Sequence, residues 1–202
     1  MDPQATVDPT ARVHPTADVE AGAFIGAATR VWHNCQIRPG ARVGSRCVIG
    51  KNAYIGSNVP IGDNCKIQNN ALVYDGAELA DGVFIGPAAI ITNDHFPRAV
   101  NPDGTAQTAD DWHISPVRIG TGASIGAGSI LIAGITVGAW AMVGAGAVVT
   151  RDVPAHGLVI GTPARLVGYA CQCGRRLTPS SPPGRYVCTA CGNSVTIEAH
   201  PL

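Results

Sequence analysis

Two stretches of this chain carry residue types that do chemistry. The first opens on Asn93-Asp94-His95-Phe96-Pro97-Arg98 and closes on Asp110-Asp111-Trp112-His113. Amides, carboxylates and imidazoles so gathered can orient a nucleophile and take up its proton. The second holds Cys171, Cys173, Cys188 and Cys191, two close pairs, each followed by glycine, with fourteen residues between them. Four thiolates in that spacing wrap one tetrahedral ion, the geometry of a structural zinc site. The first pair is one residue tighter than the common Cys-x-x-Cys knuckle, and disulfides are the alternative. Nothing suggests export, which leaves zinc as the expectation. With only Arg175, Arg176 and Arg185 as bases, the tail reads as a cover for an open end or a brace for an oligomer rather than a nucleic-acid binder.

A repeat must position these residues. Counting in sixes from Val7 reaches an aliphatic residue fifteen times without a miss, through Val13, Ile25, Ile49 and Ile67 to Ile91, and the beat returns six times from Ile119 to Val149. A helix turns about 240° in six residues and shares no face at that step, whereas a coiled strand can. Two residues earlier lies a smaller slot, filled by Ala17, Ala23, Cys35, Ala41, Cys47, Cys65 and their like, so these three cysteines read as buried filler. Ten corners place glycine directly after the aliphatic, as at Gly26, Gly50 and Gly144, which suggests a positive φ there. The pattern predicts an all-β solenoid, a hexapeptide-repeat parallel β-helix of about seven coils and roughly 34 Å.

Residues eighteen apart then stack on one corner. One column runs through His33, Lys51, Asn69 and Pro87, a second through Pro39, Ser57, Asp75 and Asn93, and a third through Ser45, Asp63 and Asp81. The third looks like ordinary solvated turns. The first two replace the glycine by Trp32, Arg38, Gln68 or Tyr74, which implies either a site or a subunit contact. The beat is missing from 92 to 118, a loop long enough to be functional, and it starts on the Tyr74/Asp75 column. Its middle, Asn101-Pro102-Asp103-Gly104, is a turn.

Charged residues are 14% of the chain, 25 residues are glycine, and the formal net charge is zero. No basic field favours nucleic acid or a membrane surface. Met1-Asp2-Pro3-Gln4 has an acid where a signal peptide carries base, and no long apolar run follows, so a soluble cytoplasmic protein is expected. The expected organisation is a β-helix domain over 1–154 with its loop at 92–118, a capping segment over 155–170 and a four-cysteine zinc-binding tail over 171–202. Within the capping segment Thr162-Pro163-Ala164-Arg165 reads as a helix start, with Thr as N-cap and Pro at the first position. Arg165 at such an end, with Arg151 nearby, makes a natural phosphate site; plain surface arginines are the alternative.

The words outside the hexads are more selective. Lys66 to Gly76, Asp81 to Pro87, Thr92-Asn93-Asp94 with Pro97-Arg98, Arg30-Val31-Trp32-His33, Val148 to Pro154 and Gly161 to Arg165 resemble the nucleotide-linked amino-sugar N-acetyltransferases. They look most like the UDP-2-acetamido-3-amino-2,3-dideoxy-glucuronate enzymes and their dTDP-3-amino-sugar relatives. The resemblance implies a left-handed coil, acetyl-CoA as donor, the C3 amine of a nucleotide sugar as acceptor, a homotrimer, and sites in the clefts between subunits. It places Asn93 and Asp94 near the amine, and His33, Gln68, Asn69, Tyr74, Asp75 and Arg98 on the substrate side. It runs CoA along the last coils, past Ala127 and Ala145 to Arg151 and Arg165. On this reading Asn93 and Asp94 hold the amine, Asp75 supports them, and His95 is the competing candidate for general base, so that His95→Asn costs only a fewfold. A zinc hydratase of the β-helical carbonic anhydrase type, using His95, His113 and His33 or His14, and a non-catalytic scaffold are the rivals.

Overall fold

The computed structural model describes residues 1–197. Three parallel sheets form the three faces of a prism. The first face runs from Thr6–Val7 to Thr136–Val137, the second from Arg12–Val13 through Met142–Val143, and the third from Asp18–Val19 to Val148–Val149. Each face receives seven hexad strands, and pairing joins residues eighteen apart, as in Lys66↔Val48 and Ile67↔Ile49. Where the loop intervenes, register is kept, with Leu79 opposite Ile119.

The aliphatic of every hexad from Val19 to Val149 points into one continuous core, and Ile25, Ile49, Ile67 and Ile91 are fully buried. Val7 and Val13 are only half-buried because no coil lies beneath them. Cys35, Cys47 and Cys65 are buried in the small slots as expected.

The corner glycines have a different cause from the one expected. Gly26, Gly50 and Gly86 do not have positive φ; that conformation falls two residues later, at Ala28, Asn34, Asn52, Asn58 and Asn70 or at Gly22, Gly40 and Gly128. Glycine directly after the aliphatic is a spacer: a Cβ on Gly26 would lie 2.6 Å from the carbonyl carbon of Gly44, and one on Gly50 would lie 2.6 Å from the Asn69 nitrogen. The coils approach each other there too closely for any side chain. Gly26→Ala should therefore cost about 1 to 3 kcal/mol through overpacking. At Gly22, φ +69, a Cβ meets nothing closer than 3.7 Å, and Gly22→Asn should be nearly neutral, because asparagine tolerates this conformation. Thermal unfolding of the two variants tests the distinction; equal losses would refute it.

Two local features differ from expectation. The strand after the loop is Val117–Ile119, so Arg118 belongs to the first face, where it pairs with Glu78 at 3.3 Å. No helix starts at Thr162. The segment forms strands Gly157–Ile160 and Arg165–Tyr169, an antiparallel hairpin that extends the second face beyond Met142–Val143. The edge of the last coil claims its backbone: Ala164 N donates to Val148 O, and Val148 N donates to Gly161 O. A ladder with a waiting edge outcompetes an N-cap here. The tail then forms a small three-stranded antiparallel sheet, Thr178–Ser180, Arg185–Val187 and Ser194–Thr196. Residues 198–202, the end of the expected tail, lie outside the described residues. No helix among the described residues is long and apolar enough to cross a membrane.

Candidate active site

The loop leaves the corner between the third and first faces, and Asn93 closes its neck by accepting a hydrogen bond on its carbonyl from Ser115 N at 2.8 Å. Its returning limb lies on the coil beneath, where Gly76 is bare and Ile114 takes the space a side chain would fill. Asn101–Gly104 forms the expected turn, with Gly104 N donating to Asn101 O. Asn93, Asp94 and His95 thus sit one coil above Asp75 and Gly76, as the stacking predicts.

The three loop residues are committed differently. One Asp94 carboxylate oxygen accepts from Phe96 N at 2.8 Å, a local turn. His95 Nδ1 lies 3.2 Å from the Ala133 carbonyl on the next coil, which can only accept, so Nδ1 carries the proton. Nε2 is left with its lone pair available, the arrangement of a general base held by its other nitrogen. Phe96 packs edge-on against the ring, centroids 4.8 Å apart. Arg98 is exposed on the loop and donates to the Pro97 carbonyl at 3.0 Å.

Asn69 and Asp75 prove to be corner residues first. Their Oδ1 atoms accept from Lys51 N at 2.9 Å and Ser57 N at 2.8 Å, one coil below. Asp63 and Asp81 do the same for Ser45 and Asp63 in the column read as ordinary turns. One oxygen of each is therefore structural, leaving the Asn69 amide NH2 and the second Asp75 oxygen for other work. Tyr74 has no such duty. It is 37% exposed, and its ring lies 5.3 Å from that of Tyr54.

The expected substrate residues do not converge within one chain. Tyr74 and Asp75 lie on the third-to-first corner, whereas His33, Gln68 and Asn69 lie on the second-to-third corner, with the third face between them. Asn69 to Tyr74 spans five residues, up to about 17 Å of extended chain. Between the corners the face turns outward Tyr54, Leu72, Ile90, Ile130 and Val148, all partly exposed, an apolar stripe that the sequence reading missed. The signal was present as the residue preceding each inward aliphatic. Exposed Trp32, Phe96 and Ile114 stand at its edges. His33 stacks on His14, centroids 3.5 Å apart, and His95 and His113 are not brought to them in the chain.

The expected cofactor residues divide in two. Ala127 and Ala145 are exposed on the second-to-third corner, in a smooth run of glycine and alanine, and the turn that follows joins it as Thr162 Oγ1 donates to Gly146 O at 3.4 Å. Arg151 and Arg165 meet at a cavity of about 870 Å³ at the end of the solenoid, floored by Val149, Val153, Val159 and Leu166. Asp152 at its rim is occupied, accepting from Thr136 N at 2.7 Å.

In the tail, the four Sγ atoms lie within 4.8 Å of one another, with Cys171–Cys191 at 3.6 Å and Cys173–Cys188 at 3.5 Å. Among the described residues this is the cluster with metal-ligand composition. Backbone N–H groups of Cys191 and Ala190 hold the Cys188 thiol down to about 6, whereas the Cys191 thiol, despite the Asn193 N–H, is pushed up to about 12 by the sulfurs of Cys171, Cys188 and Cys173, so the four thiols share their protons rather than ionise alike. A tetrahedron with metal–sulfur bonds of about 2.3 Å has edges of about 3.8 Å, close to the contacts present.

Sequence comparison agrees with this geometry. The model for the hexapeptide repeat of succinyl-transferase matches residues 40–75 and 116–151, and that for the bacterial transferase hexapeptide matches 22–57. The chain thus carries hexapeptide repeats of the kind these two models describe. This hexapeptide-repeat chain is 46% identical over 56 residues to a dTDP-3-amino-3,6-dideoxy-alpha-D-galactopyranose 3-N-acetyltransferase of Aneurinibacillus thermoaerophilus, 28% of this chain and 29% of the relative. It is 47% identical over 87 residues to the chloroplastic serine acetyltransferase 1 of Arabidopsis thaliana, 43% of this chain and 27% of the relative. It therefore spans under a third of the length of either. A hexapeptide transferase family protein from Anaplasma phagocytophilum shares the fold, with a TM-score of 0.53 at 22% identity over 83% of this chain and 80% of that one.

Proposed function

We propose that the chain is an acetyl-CoA-dependent N-acetyltransferase acting on the C3 amine of a UDP- or dTDP-linked amino sugar. The observation that carries it is His95, whose Nδ1–H is tied to the Ala133 carbonyl, which leaves Nε2 as the open ring nitrogen on a loop that begins one coil above Tyr74 and Asp75. The relative named for a dTDP-3-amino sugar supports the acceptor class, and the sequence words at 66–76 and 92–98 point the same way.

The amine of an amino sugar has electron-withdrawing oxygens nearby, so its pKa resembles an α-amino group at about 7.7 to 8.0 and a neutral fraction is present at pH 7. Its lone pair attacks the thioester carbonyl carbon. The new C–N bond forms, the C–S bond breaks, and the ammonium proton passes to His95 Nε2 and on to the departing CoA thiolate. Asn93 orients the amine with its side-chain amide, Asp75 contributes its free oxygen, and Arg98 meets the acidic part of the donor or acceptor. Acetyl-CoA lies along Ala127 and Ala145, with its phosphates between Arg151 and Arg165.

The two half-sites on opposite edges of the third face are joined in a homotrimer, in which Gln68, Asn69 and His33 of one subunit face the loop of the next. The apolar stripe on that face supports this, since a patch of its kind is costly to leave wet. The tail's four cysteines hold one structural zinc ion. Transfer of the acetyl group to UDP- and dTDP-linked amino sugars, measured on material whose mass by light scattering is three chains, tests the reading. A fully active monomer would refute the intersubunit site.

A further inference from the structure

We infer that the zinc site is a clasp on strand Arg165–Tyr169, so that metal occupancy sets the affinity of the end cavity for the cofactor's phosphates; this rests on the cofactor placement proposed above. Arg165–Tyr169 is the last strand of the second face. Its inner edge pairs with Gly157–Ile160. Its outer edge would be bare, as a terminal strand's is, except that the tail covers it. The Arg176 guanidinium donates to Val167 O, Leu177 N donates to Tyr169 O at 2.8 Å, and Ala170 bridges to Arg176. Gly168 is bare where Arg176 passes, a Cβ there lying 3.0 Å from Nε. Arg176 and Leu177 fall between the two cysteine pairs, and so exist as an ordered edge only while the tail is folded.

The tail has little else to fold it. Among the described residues its buried ones are Cys171, Leu177 and Cys188, backed by partly buried Tyr169, Tyr186 and Val195. Two of the three are metal ligands. A three-stranded sheet on so small a core is not stable by itself, and in such units metal-binding free energy is folding free energy. The solenoid core is a separate cluster and does not depend on it. Losing the metal should therefore melt the tail, free the outer edge of the strand, and loosen Arg165 and Leu166 on the cavity wall while the coils stay folded.

The test uses the full-length protein, with zinc content, amide hydrogen exchange and coenzyme A binding measured before and after chelation and in Cys188→Ser. Expected are one zinc per chain in the untreated protein, none in Cys188→Ser, and an unchanged main thermal transition. The Leu177 amide, whose N–H donates to Tyr169 O across the clasp, should lose protection, and the Kd for coenzyme A should rise about tenfold, the worth of one charge-assisted hydrogen bond; restored zinc should reverse both. Retained protection in metal-free protein overturns the clasp. Lost protection with an unchanged Kd, while Arg165→Ala still weakens binding, overturns the link between metal and cofactor. If Arg165→Ala leaves Kd unchanged, the phosphate placement fails, and the exchange data alone then decide the clasp.

Discussion

His95→Asn is expected to lower kcat by about 10² to 10⁴ with the KM for acetyl-CoA within a fewfold, the size of effect that follows loss of a general base. The expectation comes from how the neighbours are spent. Asp94 gives an oxygen to Phe96 N, and Asp75 gives one to Ser57 N. His95 keeps a whole imidazole nitrogen free, in the tautomer fixed by Ala133. Asn93→Ala removes orientation rather than a proton acceptor and should cost about tenfold, mostly in KM for the sugar. Steady-state kinetics on both variants decide the matter. A thousandfold loss in Asn93→Ala with only a fewfold loss in His95→Asn would return the chemistry to the amide and a base-free attack.

The second large effect is on stability. Ile67 is fully buried at the middle of the stack, in register with Ile49 below and Ile85 above. Ile67→Ala should cost about 2 to 5 kcal/mol, because both neighbouring coils hold the cavity open. For a chain of this length that is a fall in Tm of about 4 to 20 °C. Val7→Ala should cost clearly less, since Val7 is half-buried with no coil beneath it. In a solenoid each coil meets only its neighbours, so position along the stack sets the loss. Equal shifts in Tm for the two variants would contradict that picture.

The solenoid was legible because a period of six is enforced at every coil by the same burial, and nothing non-local is needed to read it. Its corners were legible in position but not in cause. Glycine recurs at two places in the corner, directly after the aliphatic and two residues further on, and the pattern alone does not separate them. Gly26 is a spacer, and the next-but-one residue, Ala28, carries the positive φ. The hairpin over 157–169 reads as a helix because Thr162-Pro163 carries a local start signal, while the edge that overrides it, at Val148, is distant in sequence. The tail's four cysteines were legible from spacing alone. In the candidate site, the neighbourhood of Asn93, Asp94 and His95 above Asp75 followed from the eighteen-residue stacking. The partner that singles out His95 did not, because Ala133 lies across the loop on another coil. Nor did the separation of Asn69 from Tyr74, which needs the faces and not only the columns.

The most direct test of the central claim is acetyl transfer itself. The purified full-length protein is incubated with acetyl-CoA and each of a panel of UDP- and dTDP-linked sugars bearing an amine at C3, an amine at C4, or hydroxyl groups only. Free thiol is followed in time, and the products are identified by mass spectrometry. The account predicts a 3-acetamido product, heavier by one acetyl group, with thiol released in step, no product from the hydroxyl-only sugars, and a rate that collapses in His95→Asn. Transfer to serine or to a sugar hydroxyl in preference to every amine, or no transfer to any member of the panel by a trimer that binds coenzyme A, would contradict it.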